Sequence, residues 1–140
     1  MISRYFSVET VTNGFDVRKN LSGRKNAFGF FLRQEKACHI LTHRGLNLSE
    51  FATSLREIDV IILHELIFKK ILTDVEIGYE MDIAKALDRV NRGEYAAAFF
   101  LNPTRVEDVE KSALLSMRMP PKSTYFYPKL LTGLVLNKWK

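Results

Sequence analysis

Ala27-Phe28-Gly29-Phe30-Phe31-Leu32-Arg33-Gln34-Glu35-Lys36-Ala37-Cys38-His39-Ile40-Leu41-Thr42-His43-Arg44 is the stretch on which the fold turns. Residues 27–33 and 37–44 are short apolar runs rich in aromatic and β-branched side chains, and the polar triplet Gln34, Glu35 and Lys36 separates them. That pattern predicts a β-hairpin with the triplet as its turn. Upstream, Tyr5, Phe6, Val8 and Val11 give residues 4–11 the character of a further strand. Residues 17–26 are polar and basic around Gly23, and read as a loop or a frayed short helix.

Downstream of the hairpin the period changes. Residues 47–57 read as a short helix with Ser49 at its N-cap. Residues 59–72 carry the strongest helical pattern, with Leu63, Leu66, Ile67 and Ile71 at helical spacing. Asp59 stands where a cap belongs, and Lys69 and Lys70 lie near the negative end of the helix dipole. The apolar arc is wide enough to predict burial on most sides. Residues 77–81 read as a short strand. Asp82 then caps a helix over residues 83–92 that Gly93 ends. Residues 95–101 read as a buried strand, and Thr104 with Glu107 forms a capping-box pattern that opens a helix running to about Ser116. Pro120 and Pro121 forbid its continuation, and residues 130–138 read as a final strand. Hairpins mixed with crossovers predict an α+β fold: a mixed sheet with an N-terminal hairpin and three to four helices packed on it, as a single domain over residues 1–140.

A chain of 140 residues and 16.2 kDa is long enough to bury about two-thirds of its unfolded surface around one core. Its 46% hydrophobic and 26% charged content belongs to ordinary globular domains. No apolar run approaches the roughly 20 residues of a membrane span, and the N-terminus lacks a signal-peptide pattern, so a cytoplasmic location without membrane association is expected. The single cysteine, Cys38, excludes an internal disulfide framework. The net charge of +5 is unevenly spread. Residues 1–49 hold eight bases and three acids, residues 50–110 seven bases and thirteen acids, and residues 111–140 six bases and no acid. A basic–acidic–basic layout neutralises itself on folding, so nucleic acid ranks below other partners despite the sequence pI near 9.4.

Motif chemistry is sparse. His64-Glu65 is followed by Phe68 where a zinc helix needs histidine. His39 and His43 share a strand face but stand about 13 Å apart, too far for one metal. Cys38 has neither a cysteine partner nor an evident activating base and reads as a small buried hydrophobe. No metal site is indicated, and whether a cofactor is used stays open. The run Met119-Pro120-Pro121-Lys122-Ser123-Thr124-Tyr125-Phe126-Tyr127-Pro128-Lys129 is the exception. Lys122 and Lys129 supply point charges for an anion, and Ser123 and Thr124 supply hydroxyl donors. The glycines of a phosphate-binding P-loop are missing. The plain alternative is a rigid surface connection whose Tyr125, Phe126 and Tyr127 pack on the core. Asn102 and Thr104 lie where a strand ends and a helix begins, a place that gathers anionic ligands in α/β layers. A simple cap accounts for Thr104 equally well. Arg18, Lys19, Arg24 and Lys25 read as a solvated basic loop.

Residues 101–104 (Leu-Asn-Pro-Thr) followed by residues 119–135 resemble the C-terminal signature of the prokaryotic domain-of-unknown-function family 1015. Residues 58–67 and 77–79 are similar to that family in the same order. The resemblance implies that this chain corresponds to the C-terminal third of a longer protein. Such a protein's N-terminal portion would carry a Gly-His-His-Arg-like motif, of which His43-Arg44-Gly45 is only a partial echo. The expected role is binding of a phosphate-bearing or nucleotide-like anion by Lys122, Ser123, Thr124, Tyr125, Lys129 and Asn102. Whether the chain is an enzyme stays open. The alternative is an interaction domain that docks on a second copy of itself or on the missing N-terminal domain, with nucleic-acid binding third.

Overall fold

A computed structural model describes residues 2–11, 17–45 and 58–124 of the 140. A short 3-10 turn, Ile2–Arg4, leads into β1 (Phe6–Val11), which is followed by the short helix α1 (Val17–Leu21). The hairpin forms as expected from β2 (Ala27–Leu32) and β3 (Ala37–His43). The N–H groups of Glu35 and Lys36 both donate to the Leu32 carbonyl, at 3.2 and 3.0 Å, and close the turn. The sheet runs β1-β3-β2-β4, with β4 at Ala97–Phe100, and every pairing among the described residues is antiparallel. The result is an α+β fold. The expected helix at 47–57 and strand at 130–138 lie outside the described residues, and no parallel pairing of a mixed sheet occurs among those described.

The register explains the run that opened the reading. Phe6, Leu41, Phe28, Phe30 and Phe99 stand on one face of the sheet, and Ile40, Cys38, Ala27, Phe31 and Phe100 on the other. The first face packs under Ile62, Leu63, Leu66 and Ile67. The second packs against Leu21 of α1 and Val90 of α3. The two central strands are thus covered on both sides, so β2 is apolar at successive positions instead of alternating. Phe6 and Phe28 are fully buried and meet edge to face at 5.9 Å. Strand β1 forms an edge, and its sequence is mostly exposed beyond Phe6.

The long helix begins as α2 (Asp59–Ile62) and continues with wider winding over Leu63–Ile71, where the Leu72 N–H reaches back to the Ile67 carbonyl at 2.7 Å. Only Lys69 and Lys70 are exposed between residues 58 and 72, in keeping with the wide apolar arc. Asp59 is not the cap expected of it: Ile58 occupies that position and makes no side-chain bond.

Helix α3 (Ile83–Asn91) follows its sequence closely. Asp82 Oδ1 accepts the Lys85 N–H at 3.1 Å, and Gly93 takes φ +85°, the left-handed conformation that favours glycine. Residues 77–81 do not form the expected strand. Tyr79 and Met81 are exposed, and the Glu80 carboxylate takes the N–H groups of Met81 and Asp82 that a ladder would have used. Helix α4 spans Val106–Leu114 and begins at Arg105, one residue later than the Thr104 box required. It stops well before Pro120, with Ser116 in a left-handed turn at φ +52°.

Candidate functional site

The N-terminal end of α2, the loop between α1 and β2 and the loop after β4 converge on a cleft of about 350 Å³. Its walls are residues 22–25, residues 58–60, residues 102–105 and Asp108. Each wall arrives there for a local reason. Ile58 and Ile61 are buried together with Met119 packed against them, which anchors both the start of α2 and the segment leading to the Pro-Pro-Lys turn. Asn102 donates its amide hydrogens to the carbonyls of Leu21 and Arg24, at 2.9 and 2.8 Å, and so ties the end of β4 to the basic loop.

Two of the sequence-derived site residues, Thr104 of the cleft wall and Ser123, are bonded to each other. Thr104 Oγ1 donates to the Ser123 carbonyl at 2.7 Å, which fastens the turn carrying Lys122 beside the strand-end loop. That bond also explains why the Thr104 capping box fails: the hydroxyl has a tertiary partner. The Ser123 hydroxyl donates to the Pro120 carbonyl and shapes the turn from within. Lys122 has φ +60°, a conformation unusual for a side chain of its kind, and it is exposed. Thr124 is also exposed at the end of the described turn. Asn102 lines the cleft, but its donors are committed to bracing it. Tyr125 and Lys129 lie outside the described residues.

The residues that sequence reasoning passed over are the charged ones. Asp108 is buried, and its two oxygens take the Arg105 guanidinium in a fork at 3.2 and 3.0 Å, with the Arg105 backbone N–H at 3.3 Å on the same carboxylate. Asp59 accepts the Asn26 N–H at 2.8 Å through Oδ1. Burial pushes its carboxyl up to about 6; the Asn26 bond opposes that rise, Asp108 adds to it and Arg105 opposes it. Lys25 lines the cleft and is exposed, with no ion pair among the described residues, whereas Arg24 pairs with Glu9 at 2.9 Å. Asp59 had the sequence signature of a cap and Lys25 that of a solvated loop. Only an acid at the third position of a helix, the place of Asp108, hinted at more.

The other histidines and the cysteine are accounted for elsewhere. His64 is half-buried edge-on to Phe68, and burial holds its pKa down. His39 Nε2 lies 2.9 Å from Glu35 and its Nδ1 lies 3.2 Å from Thr10. His43 is buried against Phe6, and Cys38 is buried with its thiol pKa pushed up. No group of three metal-ligating side chains occurs among the described residues. Set against known protein families, curated proteins and solved structures, the chain matches none.

Proposed function

We propose that this chain binds a phosphate-bearing or nucleotide-like anion in the cleft between residues 22–25, 58–60 and 102–105. The observation that carries the reading is the Thr104–Ser123 bond, which brings the Lys122 turn to the 102–105 loop that walls the cleft together with Lys25. Lys25 in the cleft wall and Lys122 on the adjoining turn then act as point charges, while Arg105, already paired with Asp108, gives the wall a fixed geometry. Lys122 in a left-handed turn adds support, since strained backbone gathers at ligand sites. The resemblance of residues 101–104 and 119–135 to the domain-of-unknown-function family 1015 supports a role for Asn102, Thr104 and Lys122, and the reading of the chain as the C-terminal part of a longer protein.

The test is a thermal-shift and calorimetric titration of the chain with inorganic phosphate, nucleotides and sugar phosphates. Lys25→Ala and Lys122→Ala should each weaken the best ligand several-fold. Affinity unchanged in both variants would remove the cleft as the site.

A second reading rests on the exposed apolar end of α4, where Leu114 is 80% exposed and Leu115 and Met117 are exposed beside it. Such a patch suits docking on another subunit or domain. Sedimentation across a concentration range tests it, and a monomer at every concentration would count against self-association.

A further inference from the structure

We propose that Asp59 makes the cleft selective for an oxyanion that carries its own exchangeable proton, inorganic phosphate, over sulfate. The inference rests on the anion-binding reading of the same cleft. Its geometry is specific to two carboxyls that differ in their partners. Both oxygens of Asp108 are engaged by Arg105, whose guanidinium balances its charge. Asp59 lines the same cleft with only Oδ1 engaged, by the Asn26 N–H, and among the described residues no side chain donates to Oδ2.

An oxyanion entering beside Asp59 therefore meets a carboxyl oxygen. One proton must lie between the two, because bare oxygens repel and neither can donate. Phosphate brings that proton on a P–OH group, which donates to the ionised carboxylate. Sulfate is fully ionised and brings none, so it is accepted only while Asp59 itself holds the proton and donates it.

The groups facing Asp59 set where this exchange occurs. Asp108 of α4 and Arg105 just before it act on Asp59 with opposite signs, the Asn26 N–H faces it from just before β2, and Lys25 and Arg24, which precede Asn26, stand in the cleft wall. Desolvation outweighs these neighbours and leaves the carboxyl at about 6. The protonated share of Asp59 thus falls about ten-fold between pH 5 and pH 7. Sulfate affinity should follow that fall, because sulfate itself does not titrate in the range.

The experiment is calorimetric titration of the whole chain with sodium sulfate and with sodium phosphate at pH 5, 6 and 7, at constant ionic strength. Sulfate affinity should drop about ten-fold from pH 5 to pH 7 while phosphate still binds at pH 7. In Asp59→Asn the sulfate affinity should become independent of pH, because the amide donates to either anion. The wild-type titration decides the matter even if the variant folds poorly. Sulfate binding as tightly as phosphate at pH 7, with no pH response, overturns the selectivity and leaves the anion site standing. Neither anion binding at any pH overturns the anion-binding reading, and the selectivity with it.

Discussion

The layer beneath Ile62, Leu63, Leu66 and Ile67 and the cleft beside Asp59 are neighbours in the chain and opposite in chemistry. In the first, Phe6, Phe28 and Leu41 are almost wholly removed from water, and cohesion comes from apolar area and close packing. In the second, cohesion comes from directed bonds: the Arg105–Asp108 fork, the two bonds from Asn102, and the Thr104 hydroxyl on Ser123. The difference teaches where each kind of change is felt. A lost methylene in the layer leaves a void that the fold cannot close, whereas a lost bond in the cleft exposes polar groups that water partly satisfies.

The largest effect that separates the two belongs to Phe28→Ala. It should cost about 3–5 kcal/mol in chemical denaturation, with an edge-to-face aromatic contact and a buried ring both removed. A cost below about 1 kcal/mol would mean that the layer repacks freely and that the contrast is false.

Next in size is Asn102→Ala, which removes two bonds to carbonyls of the basic loop and should cost about 1–2 kcal/mol. It should also weaken any cleft ligand, because residues 22–25 lose their tie to β4. A variant that loses stability but holds its ligand unchanged would separate bracing from binding.

The smallest effect lies at the junction. The folded pKa of Asp59, about 6, is raised above its ordinary value of 3.8. Its contribution is therefore fully present below the lower value and is lost as pH rises through the higher one. Asp59→Asn should match the parent at low pH and then become the more stable of the two above pH 6, by about 1 kcal/mol after allowance for solvent screening. The asparagine oxygen still accepts the Asn26 N–H. Melting curves from pH 3 to pH 8 measure the crossover, and a constant difference across that range would deny the buried character of the carboxyl.

What could be read without coordinates was what neighbours in sequence decide. The hairpin was legible because two apolar runs and a polar turn are local, and α3 because Asp82 and Gly93 stop the helix with their own side-chain and backbone chemistry. The Thr104 box and the strand at 77–81 were not, because each lost to a competitor. The Ser123 carbonyl drew the Thr104 hydroxyl away, and the Glu80 carboxylate satisfied the backbone that a strand would have paired. The candidate site was half legible. Asn102, Thr104 and the Lys122–Ser123 turn could be picked out by residue type, but Asp59, Asp108 and Lys25 looked like a cap, a helix acid and a solvated base.

By itself the sequence determined the α+β class, the hairpin and the ends of α3, since dihedral preference, turn chemistry and capping act over a few residues. Tertiary structure alone decided the cleft. Its walls come from positions near 24, 59, 104 and 108, and the properties that matter there depend on the company those residues keep. Asp59 holds its proton more tightly because folding takes it out of water and sets Asp108 near it, and no pattern along the chain encodes that environment.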